Sequence, residues 1–185
     1  EGYSTGTVKI LHKMIHPALE MAVKDRLIYN NVSEGCVKDY AEEQEKKYAL
    51  TAEEKEEFLS RVADRYPKYF PFVQFLFASG VRLSEAIGLT WKDVVKRKNM
   101  GYINIDHQIQ YRRIDGKAVQ YASETKTTAG KRKIPITPEI EKILEEQKKL
   151  NASVKVPDKY SVDGYSDFVF LSPKGMCMSH NTIRC

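Results

Sequence analysis

Apolar residues recur at steps of three or four through Val8, Leu11, Ile15, Leu19 and Ala22, which predicts a helix over residues 4–30. Ser4 or Thr5 supplies its cap. Pro17 falls inside the pattern, where the missing N–H and the ring predict a kink or a split. The polar side carries Lys9, His12, Lys13, Lys24 and Arg26, and Asn30-Asn31 with Ser33-Glu34-Gly35 reads as a turn out of the helix. Periodicity then stops. Residues 34–50 are polar, with Glu42, Glu43, Glu45, Lys46 and Lys47 close together, and read as a linker or as a short solvated helix.

A second unit is expected over 51–185. Thr51 and Glu54 have capping-box spacing, ahead of an apolar face at Phe58, Leu59 and Val62. After Pro71 the run Phe72, Val73, Phe75, Leu76, Phe77 predicts a helix central to a core. Ala78-Ser79-Gly80 turns the chain into a short helix from about Leu83 to Leu89. Beyond residue 100 the period changes to two. Ile103, Ile105, His107, Ile109 and Tyr111 share one side of a predicted strand over Tyr102 to Tyr111. Asp115-Gly116 is a hairpin turn. Ala118 to Glu124 is a second strand, Ala129-Gly130 a second turn, and Arg132 to Ile136 a third strand. Thr137-Pro138 opens a helix that runs to about Leu150. Residues 151–166 are a loop, and Phe168 to Leu171 a short buried extended piece. Helices, then a three-stranded antiparallel sheet, then a helix make an α+β fold, mainly helical.

Composition narrows this only slightly. The 185 residues carry a net charge of +5, which favours a polyanionic partner without requiring one. Three cysteines, Cys36, Cys177 and Cys185, are too few and too scattered for a disulfide framework, so a reducing cytoplasm is the expected compartment. No apolar run approaches the roughly 20 residues of a membrane span. The chain opens on Glu1 and closes on a helix-start pattern at Cys185, so a piece of a longer protein is expected. Cys177, His180 and Cys185 make three metal ligands where a structural zinc site wants four. No GxxxxGK[ST] or HExxH pattern occurs, and no metal or other cofactor is expected.

Arg82 has two readings. Three residues before Glu85 on a short helix, it makes a surface ion pair worth about 0.3 kcal/mol, the reading that spacing alone favours. The other reading is a fork-shaped guanidinium, oriented by a carboxylate and aimed at phosphate oxygens. Arg112, Arg113 and Lys117 flank one hairpin, and Lys131, Arg132 and Lys133 the other. They read as phosphate contacts or as charges protecting a strand edge.

The segment Ala78-Ser79-Gly80-Val81-Arg82-Leu83-Ser84-Glu85 with Leu89-Thr90-Trp91-Lys92-Asp93 resembles the first arginine box of the tyrosine recombinase, or phage integrase, family. That box reads roughly Thr-Gly-x-Arg-x-Ser-Glu-x-x-x-Leu-x-Trp-x-Asp, so Ser79 departs from the usual Thr. It resembles most the integrases of phages and conjugative transposons of Gram-positive bacteria. In register downstream, Ser123 to Ile136 is similar to the family's lysine hairpin, with Lys126 at the lysine position. Val8 to Val32 looks like the end of the family's core-binding domain, with Asn30-Asn31 where Asn-Pro is usual.

The resemblance implies the end of a core-binding domain over 1–33, a linker over 34–50, and the first part of a catalytic domain over 51–185. It implies DNA strand transfer through a 3′-phosphotyrosyl intermediate within a homotetramer on double-stranded DNA. Arg82 would hold nonbridging phosphate oxygens, Lys126 would protonate the leaving 5′-oxygen, and Glu85 would brace Arg82. Lys9, Lys13, Lys131, Arg132 and Lys133 would contact DNA. The family's His-x-x-Arg box is not matched, because His180 and Arg184 are one residue too far apart, and none of the eleven tyrosines stands in the nucleophile's context. The chain alone is therefore expected to be inactive. The rival reading is a noncatalytic nucleic-acid-binding module built on the basic sheet.

Overall fold

The computed structural model describes residues 3–37, 48–97, 100–124 and 130–179. The chain forms two compact units, Glu1–Ala49 and Leu50–Cys185.

In the first unit α1 spans Thr5–Lys24, and the Ser4 hydroxyl accepts from Thr7 N at 3.3 Å. Pro17 does not split it: the helix continues to Lys24 although Pro17 offers no N–H. The apolar stripe is covered unevenly: Val8, Leu19 and Ala22 are half-buried, whereas Leu11 is 46% exposed and Ile15 52%. A polar knot forms on Asn31, which is itself buried. Asn31 Nδ2 donates to the His16 carbonyl at 3.1 Å and to Glu20 Oε1 at 2.8 Å, and Asn31 Oδ1 accepts from Ser33 N at 3.0 Å. His12 and His16, one turn apart, stack with ring centroids 4.9 Å apart. An asparagine that both donates and accepts closes this return better than an aliphatic side chain could.

In the second unit α2 spans Ala52–Arg65. Its capping box is complete, with Thr51 N donating to Glu54 Oε2 at 2.8 Å and Glu54 N to Thr51 Oγ1 at 3.2 Å. Helix α3 (Phe70–Ser79) starts one residue before the proline, which occupies its first turn, where no intrahelical N–H is needed. Phe72 and Phe75 are fully buried and meet Phe170 at centroid distances of 4.9 and 5.1 Å. Each ring contributes about 2–3 kcal/mol by leaving water. Gly80, at φ 63°, ends α3 in the left-handed region that a side chain resists, and this swings the chain into α4 (Leu83–Gly88). Helix α5 (Pro138–Asn151) lays Ile140, Ile143 and Leu144 into the same core.

The strands pair differently from the expectation. Burial alternates unbroken through Ile103, Ile105, His107 and Ile109. The ladder nevertheless breaks at Asp106, whose carboxylate accepts from Asn104 Nδ2 at 2.8 Å and lies 2.7 Å from His107 Nδ1. The expected single strand is thus two, β2 (Tyr102–Ile105) and β3 (His107–Ile114). With β1 (Val94–Val95) and β5 (Arg132–Pro135), β2 makes a three-stranded antiparallel sheet in the order β1-β2-β5. Among the described residues, strand β3 pairs with β4 (Lys117–Glu124) alone, across the Asp115-Gly116 turn, where both φ values are positive. The α+β class with its three-stranded sheet holds, but the second expected strand belongs to a separate hairpin set between β2 and β5. Phe168 to Leu171 forms only isolated bridges, Thr90 to Phe168 and Leu171 to Cys177.

Candidate functional site

Arg82 stands at the N-cap of α4 with extended backbone, φ −68° and ψ 149°. The last residue of the apolar α3 core and the left-handed Gly80 leave it at the rim, while Ala86 and Ile87, one turn on, are fully buried. Glu85 sits between rim and core. Its side chain is 1% exposed and accepts from Arg82 N at 2.9 Å, a carboxylate reaching back to its own helix start.

Two guanidinium groups converge on that carboxylate. Arg82 Nη1 donates to Glu85 Oε1 at 2.8 Å. From the sheet, Arg132 donates through Nη2 to Oε2 at 2.8 Å and through Nη1 to Oε1 at 3.2 Å, a two-pronged grip. Burial alone would push the Glu85 carboxyl up. The hydrogen bonds from Arg132 and Arg82 outweigh it and hold the group below the usual carboxylate range. Glu85 in turn raises the Arg132 guanidinium.

The two arginines are not equivalent. The Arg82 side chain is 70% exposed and that of Arg132 33%. A charge held by one bond at the rim, its remaining N–H groups turned to solvent, is shaped to accept an anion from outside. The pairing also changes the value of the ion pair that spacing suggests: its carboxylate is buried, so this is no surface i,i+3 pair.

Helix α4 is clamped from beneath by the root of the hairpin. Ser84 Oγ donates to Gln108 Oε1 at 2.9 Å, and the Gly88 carbonyl oxygen lies 2.8 Å from His107 Nε2. A Cβ at position 88 would meet Ile109 N at 3.0 Å, a tight contact with backbone, so glycine eases the close approach of helix and strand. His107 is buried and stacks on Tyr165 at 4.0 Å. The Leu-Thr-Trp-x-Asp exit is a local cap, in which Asp93 Oδ2 accepts from Thr90 N at 2.9 Å and Thr90 Oγ1 at 2.6 Å.

The other expected site residues scatter. Lys131 pairs with Glu124 at 2.9 Å, and Lys133 lies over the Tyr102 ring at 4.6 Å. Arg132 is committed to Glu85, on the sheet face opposite to Lys133. Lys9 and Lys13 are exposed on α1 in the first unit. Lys126 lies outside the described residues, as do His180 and Cys185. Cys177 is buried, its thiol pushed up to about 12 by that burial and donating to the Ile87 carbonyl at 3.3 Å. Among the described residues, Asp93, Asp106 and His107 bring possible metal-ligand atoms within 4.8 Å of one another, and each already has hydrogen-bond partners within the protein.

The link from Arg132 to Glu85 escaped the sequence reading, which placed Arg132 with its basic neighbours. Alternation was the available signal. Arg132 and Ile134 share one face of the third strand, and Ile134 packs against the core.

Residues 42–185 match the phage integrase family. The transposase of transposon Tn916 from Enterococcus faecalis is 29% identical over 176 residues, covering 94% of this chain and 42% of that protein. The Tn1545 transposase of Streptococcus pneumoniae matches to the same degree. The chain thus spans about two fifths of the length of these curated relatives. Among solved structures, the Tn1549 transposon integrase in complex with a circular intermediate DNA aligns with a TM-score of 0.78 and 30% identity, over 96% of this chain and 55% of that one. The same integrase in complex with transposon right end DNA gives 0.77.

Proposed function

Since the chain belongs to the phage integrase family, we propose that it supplies the phosphate-holding half of a site-specific DNA strand-transfer site. The observation that carries the proposal is Arg82, exposed at the rim while Glu85 fixes it from below. In the reaction that the family resemblance implies, a tyrosine oxygen attacks a DNA phosphodiester. A 3′-phosphotyrosyl bond forms and the 5′-oxygen leaves. Negative charge grows on the nonbridging oxygens in the transition state, and a guanidinium already oriented there stabilises it without reorganising. Lys126 is assigned the proton for the 5′-oxygen. Glu85 is a positioning residue, and the second arginine and the nucleophile are assigned to parts of the whole protein other than residues 1–185. The proposed assembly is a homotetramer on double-stranded DNA. The DNA complexes of the Tn1549 integrase support DNA as the partner.

The test uses the full-length protein with a nicked suicide duplex. The expected result is a covalent protein–DNA adduct that Arg82→Ala abolishes and Lys126→Ala slows. Adduct formation that survives Arg82→Ala would overturn the assignment of Arg82. DNA binding without any adduct would favour the noncatalytic module instead.

A further inference from the structure

The outer face of the three-stranded sheet carries a second cationic feature, away from Glu85. Strand β5 alternates, so Arg132 turns in toward the carboxylate and Lys133 turns out. On β2 the outward residues are Tyr102 and Asn104, and Asn104 lies opposite Lys133. Lys133 Nζ sits 4.6 Å from the centroid of the Tyr102 ring, and Arg97, just beyond β1, sits 5.3 Å from the same centroid. One half-buried aromatic ring therefore holds two exposed cations.

What distinguishes this pair is its lack of carboxylates. Three neighbouring cations are neutralised: Lys96 by Glu141 at 3.1 Å, Lys131 by Glu124 at 2.9 Å, and Arg132 by Glu85. Among the described residues, Arg97 and Lys133 form no ion pair within 4.0 Å, and their charged groups are oriented by Tyr102 instead. The ring's quadrupole offers each cation only about 0.5–1 kcal/mol at an exposed contact. An anion that reaches either group meets a charge that no carboxylate among the described residues pairs with. The half-buried tyrosine also costs each flexible side chain some of its freedom before any ligand arrives.

We propose that Arg97, Tyr102 and Lys133 form a backbone-phosphate clamp for duplex DNA, separate from the scissile phosphate at Arg82. This rests on the DNA reading given above. The clamp reads no sequence: two cations on an aromatic support grip phosphates and set register along the duplex.

The experiment measures binding of the 185-residue chain to a fluorescein-labelled duplex by anisotropy, across a salt series. Each phosphate contact adds about 0.9 to the slope of log K against log salt. The Arg97→Ala, Lys133→Ala double variant is expected to lower that slope by about 1.8. Lys131→Ala, whose charge is already met by Glu124, is expected to lower it by less than half as much as either single clamp variant. Tyr102→Leu, which removes the ring and keeps the bulk, is expected to weaken binding several-fold at constant slope. An unchanged slope in the double variant, with Arg82→Ala still weakening binding, overturns the clamp and leaves the DNA reading intact. No salt-dependent binding by the unmodified chain overturns both.

Discussion

Arg132 and Lys133 are consecutive residues with opposite fates. The inner face of the sheet spends its charge internally, closing Arg132 and Arg82 onto one buried carboxylate. The outer face leaves Lys133 and Arg97 uncompensated on Tyr102. The lesson is that a count of basic residues on a strand says little about anion binding. Strand alternation decides which cations are already satisfied and which remain available.

The difference can be broken most forcefully from the inside. Ile103, fully buried on the inner face of β2, should cost about 4 kcal/mol when cut to alanine. Its outward neighbour Asn104 should cost about 1 kcal/mol on the same change, the worth of its hydrogen bond to Asp106. Urea denaturation of the two variants reads this directly. Equal losses would mean that the sheet does not separate a packed face from a solvated one.

Glu85→Gln comes next. An amide cannot satisfy two guanidinium groups, and about 2 kcal/mol should be lost near neutral pH. The acid limb sharpens the point. Because Glu85 is held below its usual range in the folded chain, its contribution is present above the unfolded value of about 4.3 and disappears as pH falls through the lower folded value. The gap between the unmodified chain and Glu85→Gln should therefore close on acidification below about pH 4.3. A constant gap would remove the carboxylate's charge from the account.

Replacing Arg132 with methionine should then cost about 1–2 kcal/mol, since it leaves Glu85 with a single partner. The same change at Lys133 should stay within about 0.5 kcal/mol. Thermal melts of the pair test the inside–outside contrast at adjacent positions. Loss of the Arg82 guanidinium should cost no more than about 1 kcal/mol, because Glu85 keeps the two-pronged grip of Arg132. Arg82→Ala should melt nearly like the unmodified chain while losing DNA affinity, and a large drop in melting temperature would recast it as a structural residue.

Much of this was legible in the residues. The Thr51–Glu54 cap, the apolar run of α3, the Asp115-Gly116 turn and the helix at Pro138 are all local signals, and local rules recovered them. Pairing was not legible. Tyr102 to Tyr111 alternates without a flaw, and nothing in that alternation says that Asp106 ends one sheet and starts a hairpin. Periodicity likewise shows that α1 has an apolar side without showing what covers it, and the knot on Asn31 depends on contacts to residues 15 and 11 positions away. Arg82 and Glu85 were found through their motif. Arg132, 47 positions from Glu85, needed the fold to bring it there.

Strands β2 and β5 meet directly, Ile105 opposite Arg132, so the ladder closes behind everything that lies between them. The arginine cluster is therefore indifferent to how long that excursion is, provided its first residues remain. His107 and Ile109 anchor it; the exposed stretch from Arg112 to Val119 does not. That tip is a free parameter of the architecture. It is a place where an experimenter can splice in a reporter without moving Glu85 or the two arginines that it holds.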